Sequence, residues 1–227
     1  MTPVRRTPPP PTPRSRPEYQ RSFITRVHQV LSMGYERLDS RALTGHEEED
    51  ITGELTRAMQ TALEDSGAPR WVKNFWAQEE VPVHGQGRLG KRRPKVDIQV
   101  MQHGVVKRPR FRFEAKRLHD SRSRRRYLGH DGLGCYLDGR YAHDDETAGM
   151  IGYVQQGAVE DHAASLAQML RNDPKRYWVT EQGQWTHAQV LATLSTYRSV
   201  HERVNPLPCI VLLHTLLPFV GRLPRTV

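Results

Sequence analysis

Cysteine is almost missing: only Cys135 and Cys209 occur in 227 residues, and neither sits in a CxxC pair. That excludes a disulfide framework and a zinc knuckle and fits a reducing compartment, so a cytoplasmic location is expected. Long apolar runs are missing too. The longest, around residues 209–217, carries His214 and falls well short of the roughly 20 apolar residues of a membrane span. The N-terminus has no apolar signal core. A soluble protein with no membrane partner is expected. Hydrophobic residues make up only 37% of the chain, so some of its length should lie outside the packed core.

Acidic residues are scarce where basic ones crowd. The chain carries a net +9, yet residues 88–126 alone hold fifteen Lys and Arg against Asp97, Glu114 and Asp120. That local excess of twelve is larger than the excess of the whole chain, so the remainder is slightly acidic. A concentrated positive charge favours a polyanionic partner, nucleic acid above all, because cations displace the counterions condensed on phosphates.

Seven of the sixteen prolines fall in residues 1–17, among Arg5, Arg6, Arg14 and Arg16. Proline at that density makes neither helix nor ladder, so residues 1–20 read as a disordered tail. Residues 21–227 then read as one domain. A short helix is expected at 21–33, then a longer one at 47–65, capped by Thr44 or His46. Its apolar residues Ile51, Leu55, Met59 and Leu63 recur every fourth position, and Gly67 and Pro69 end it. Strands are expected at 79–83, 96–101 and 110–118, with a glycine-rich loop at 85–90. A short helix or loop at 132–141, a strand at 150–154 and a helix at 158–170 follow. A hairpin turn at Gly183, between 177–179 and Trp185, and a strand at 210–213 complete the pattern. The order predicts an α/β fold around a central mixed sheet, with a core over about 44–171 and a C-terminal extension of strands and helix over 172–227.

Alternation places Asp97 on one face of its strand and Arg112, Glu114 and Lys116 together on one face of the next, with Phe111, Phe113 and Ala115 opposite. Two carboxylates a few ångströms apart make a hard oxygen site suited to Mg²⁺. An ammonium beside them would stabilise charge on a phosphoryl group or favour hydroxide. Lys95-Val96-Asp97 followed by Phe113-Glu114-Ala115-Lys116 resembles the PD-(D/E)xK nuclease superfamily, although Pro94 lies three residues before the Asp rather than next to it. The resemblance implies a restriction-endonuclease-like αβββαβ core and a metal-dependent endonuclease acting on DNA. It also implies a role in restriction or anti-phage defence. By the same resemblance Asp97, Glu114 and the Ala115 carbonyl bind Mg²⁺ (or Mn²⁺), Lys116 positions water, and a helix Glu joins them. Glu48 is favoured for its place at the edge of the apolar stripe, with Glu47 and Glu49 open.

Phosphate contacts are expected from Lys91, Arg92 and Arg93 before the Asp97 strand, and from Arg122, Arg124, Arg125 and Arg126 after the Lys116 strand, in what reads as a loop. His143, Asp144, Asp145 and Glu146 read as an exposed acidic turn, and His119 and Asp120 as a loop entry. Gln155 and Gln156 read as a polar strand end, Tyr136 and Tyr141 as core or cleft wall beside Arg140, and His214 as a satisfied core histidine. Sequence selection would come from a protein partner, a homodimer or the structure of the substrate. The competing reading is a catalytically inactive nucleic-acid-binding module of the same fold in a larger complex.

Overall fold

In the computed structural model, which describes residues 16–83, 93–104 and 108–220, the stripe Ile51, Leu55, Met59 and Leu63 is buried along α2 (Glu48–Glu64). Its N-cap is Glu47, with no side-chain cap bond. The expected cap Thr44 instead donates to the Phe219 carbonyl at 2.8 Å. Beside α2 lies α1 (Arg16–Tyr35), which buries Phe23, Val27, Val30 and Leu31 in the same core. The first helix thus begins inside the stretch expected to be tail.

Seven strands form one mixed sheet in the order β1-β2-β3-β4-β7-β6-β5. β1 (Phe75–Pro82), β2 (Lys95–Gln102) and β3 (Arg110–Leu118) are antiparallel in turn. β4 (Thr147–Val154) runs parallel to β3, and β7 (Ile210–Pro218) parallel to β4. β6 (Ser195–His201) and β5 (Thr186–His187) close the far edge antiparallel. The segment at Trp185 therefore leads into a strand that pairs with β6, and Val179 bridges His201, so no hairpin joins 177–179 to Trp185.

Period-two alternation divides the sheet's side chains between two cores. Phe111, Phe113, Ala115, Ile151 and Tyr153 pack on the side of α1 and α2. Leu118, Met150 and Val154 pack on the other, with Tyr127, Tyr136 and Leu166 of α3 (Ser121–Tyr127), α4 (Gly134–Leu137) and α5 (Val159–Asn172). β7 sits between β4 and β6, so the C-terminal segment is central to the sheet rather than an extension. It holds no helix among the described residues beyond Asn172.

β6 is hidden in the sequence because its inward side chains are polar. Thr196, Ser199 and His201 are all fully buried. Burying such groups requires partners: Thr196 pairs with the Thr215 hydroxyl at 3.2 Å, and a chain of hydrogen bonds supplies Ser199 and His201. His201 Nδ1–H donates to the Tyr177 carbonyl (2.7 Å), so its Nε2 accepts from the Ser199 hydroxyl (2.7 Å). Ser199 Oγ accepts from His214 Nε2–H (2.7 Å), leaving His214 Nδ1 to accept from the Tyr127 hydroxyl (3.0 Å). A carbonyl can only accept, so one end fixes every proton in the chain. His214 is a satisfied core histidine, as expected.

Candidate active site

The antiparallel ladder between β2 and β3 covers Ile98–Met101 against Arg110–Phe113 and stops there. Beyond its end the two strands part, and the β3 backbone needs other partners. Carboxylates provide them. Ala115 N–H donates to Asp97 Oδ2 at 2.7 Å, and Arg117 N–H donates to Glu48 Oε2 at 3.2 Å. Side chains from β2 and from the first turn of α2 thus stand where a neighbouring strand would otherwise lie.

Into this fork points Lys116. Its ammonium donates to Glu48 Oε1, Glu114 Oε1 and the Ala115 carbonyl, each at 2.7 Å, and lies 4.0 Å from Asp97 Oδ2. Four residues spread over 69 positions of sequence converge on one point. Alternation on β3 accounts for Glu114 and Lys116, the fork for Asp97, and the start of α2 for Glu48. Of the three neighbouring acids left open, the structure brings in Glu48. Glu47 pairs with the Arg117 guanidinium at 2.7 Å, and Glu49 is exposed.

The cluster is strongly desolvated at its base and open at Asp97. Side-chain exposure is 4% for Glu114, 6% for Lys116, 12% for Glu48 and 30% for Asp97. Burial pushes the Glu114 carboxyl up to about 8, with Lys116 opposing and Asp97 reinforcing the rise. Burial also raises Asp97, against the Lys116 charge. For Lys116 burial works against the charge, but Glu114, Glu48 and Asp97 together hold its pKa above the ordinary lysine value. Glu114 Oε2 is buried with no hydrogen-bond partner. Tyr136 and Cys135 of α4 are buried near this carboxylate, whose charge adds to the rise that burial causes in both.

Sequence reasoning placed Arg112 on that β3 face but gave it no partner. Arg112, two residues before Glu114, is buried and paired with Asp145. Asp145 is therefore a partly enclosed partner for a buried cation and not part of an exposed turn, while Asp144 beside it is exposed. A signal was available: a third charge on the same strand face, Arg112, needed a partner.

The expected phosphate contacts divide. Arg122, Arg124, Arg125 and Arg126 lie on helix α3, not in a loop. Asp120 caps it by accepting from Ser123 N–H at 2.7 Å, while Ser123 Oγ accepts from Asp120 N–H. Arg124 turns towards α5, with Nη1 3.4 Å from His162 Nδ1. Arg122 and Arg126 line a cleft beside Glu48, and Arg125 is exposed. Arg93 is half-buried just before β2. Lys91 and Arg92, with the whole of the glycine-rich loop, lie outside the described residues. Gln155 donates to the His46 carbonyl at 2.9 Å, an end-of-strand contact close to the start of α2.

Among the described residues, no three of His, Cys, Asp and Glu come together as a ready metal cage. A looser site is compatible with what is present. Three carboxylates face one ammonium, leaving an excess of negative charge, and Glu114 Oε2 is an orphaned acceptor. Mg²⁺ keeps several waters and needs few protein oxygens, so Asp97, Glu114 and the Ala115 carbonyl suffice in number. Comparison with family models, with curated proteins and with solved structures gives no match. Among the described residues no helix is long and apolar enough to cross a membrane.

Proposed function

We propose that the chain is a metal-dependent nuclease that hydrolyses phosphodiester bonds of DNA, built on a PD-(D/E)xK-like core. The observation carrying this reading is the placement of Lys116 Nζ, 2.7 Å from Glu48 and Glu114 and 4.0 Å from Asp97. A purely structural ion pair needs one acid. Here three acids, an ammonium and an orphaned carboxylate oxygen gather at a fork in the sheet, where burial perturbs their protonation, a pattern that marks sites of chemistry. The element order over residues 48–154 (a helix, three antiparallel strands, two short helices, a parallel strand) supports the same core.

Asp97, Glu114 and the Ala115 carbonyl would hold Mg²⁺ or Mn²⁺, which when bound supplies charge neutralisation on the phosphoryl oxygens and a more acidic water. The chain's own residues do the rest. All three Lys116 N–H donors are engaged in this structure. Lys116 would hold a water once Glu114 or the Ala115 carbonyl turns to the metal, and its charge would stabilise negative charge building on the phosphoryl group. Glu48 orients that ammonium through its Oε1 while its other oxygen is fixed by Arg117 N–H. Tyr136 and Cys135 keep bulk water from the base of the site.

Supercoiled plasmid and single-stranded DNA, incubated with Mg²⁺ or Mn²⁺, test the proposal. Wild-type protein should cleave, chelator should stop it, and Lys116→Ala and Asp97→Asn should each be inactive. Binding without cleavage in wild type would instead favour an inactive nucleic-acid-binding module. That reading draws support from the charge on α3.

A further inference from the structure

Glu48 separates two clefts of opposite character. On one side, between α2 and β1, lies a cavity of about 820 Å³ whose lining holds seven carboxylates against a single arginine, Arg57. On the other lies a cavity of about 300 Å³ walled by Glu48, Arg117, His119, Arg122, Ser123 and Arg126. The only acid in this second wall is already engaged, by Lys116 Nζ and Arg117 N–H. Arg117 is anchored by Glu47 and the His46 carbonyl. The Ser123 hydroxyl is consumed within the cap of α3. Arg122 and Arg126 are different. Both are exposed, and neither guanidinium makes a hydrogen bond or ion pair among the described residues; the acid whose charge Arg126 feels, Asp131, stands beyond ion-pair distance. Four residues apart, they share one face of a seven-residue helix, where like charges repel. Two unpaired planar cations directed at one small cleft suit a tetrahedral oxyanion, which guanidinium groups grip through paired N–H donors.

We propose that Arg122 and Arg126 hold a phosphate of the nucleic-acid strand next to the one positioned at Lys116. The backbone would then pass over α3 and away from the carboxylate-lined cleft. This inference rests on the nuclease reading for its orientation, because Glu48 is the wall shared by the site and the cleft.

Binding measured in chelator separates the two ideas, since it needs no turnover. Labelled single-stranded and duplex DNA are titrated by fluorescence anisotropy at several salt concentrations with wild type, R122A/R126A and the control R41A/R171A, which removes the same charge elsewhere. The expected result for R122A/R126A is affinity about tenfold weaker and a slope of log K against log salt shallower by about one, while the control keeps both. Lysines at both positions should restore the slope but only part of the affinity. All the substituted side chains are exposed, and unchanged melting curves establish that the variants fold; Arg122→Gln alone serves if the double variant does not. Wild-type affinity and slope in the Arg122/Arg126 variants, an equal loss in the control, or no binding by wild type would each overturn the proposal. Arginine-dependent binding without any cleavage in Mg²⁺ or Mn²⁺ would remove the nuclease reading and leave the cleft standing. Cleavage that ignores Arg122 and Arg126 would do the reverse.

Discussion

Lys116 is the residue on which the stability of the cluster and, under the proposed nuclease reading, its chemistry turn. Removing its ammonium leaves Glu48 and Glu114 facing each other in a desolvated pocket. Breaking a buried ion pair from one side costs about 3–5 kcal/mol, so Lys116→Met should unfold at clearly lower urea concentration than wild type. Adding Glu114→Gln should recover part of the loss, which the same urea titration would show. Asp97 behaves differently. An asparagine there keeps an oxygen to accept from Ala115 N–H, so Asp97→Asn should change stability by less than about 1 kcal/mol while abolishing cleavage. A large fall in stability would mean that its charge is structural. The pairing of Glu114 with Lys116 was legible in the sequence, because alternation alone sets it. Asp97 was legible only as a candidate, since its place depends on where the β2–β3 ladder ends. Arg112 and Asp145 were not seen as a pair because the turn bearing Asp145 shows no pattern that reveals burial.

At the level of elements, α2 was plain from its four-residue stripe, and β3 from its alternating face. β6 was not, because Thr196, Ser199 and His201 point inward and make a polar-looking sequence. α3 was read as a loop for a related reason: four arginines in six positions leave only Tyr127 as an apolar anchor. That anchor also carries the hydrogen bond to His214. Tyr127→Phe would leave His214 Nδ1 buried without a donor and should cost about 1–3 kcal/mol in equilibrium unfolding. A neutral result would show that water or a shifted ring can substitute. The centre of the sheet is equally constrained. A Cβ at Gly149 would stand 2.2 Å from Phe113 Cδ1, on the strand face backing the candidate site. Gly149→Ala should therefore destabilise by about 1–3 kcal/mol through overpacking, visible as a lower thermal midpoint.

Across the whole molecule, four histidines are buried among the described residues: His28, His162, His201 and His214. Burial lowers His28 and His201 to about 4, takes His214 well below its ordinary value and lowers His162 as well. Unfolding frees them to take up protons near pH 6.5. Their contribution is intact above that pH and drains away as the pH falls from 6.5 towards 4. Glu114, raised by burial, has the opposite slope, since the folded state binds its proton more tightly between the ordinary glutamate range and pH 8. Asp97 and Asp145, also raised by burial, act in the same direction as Glu114, against four histidines. Urea unfolding between pH 7 and 5 should therefore show stability falling with acid, most steeply below pH 6.5 where the histidines of the unfolded chain take up protons. A flat or rising profile would mean that water reaches these rings. The mixed α/β architecture was legible from the order of elements, whereas the central position of β7 was not, because strand order in a sheet leaves no local mark. The fork between β2 and β3 has an evolutionary corollary. The amides of Ala115 and Arg117 depend on the acids they hold, so a lineage cannot discard Asp97 or Glu48 for an apolar residue without stranding a peptide N–H. If the proposed activity were lost, Asn and Gln at these positions would silence the charge and keep the bond.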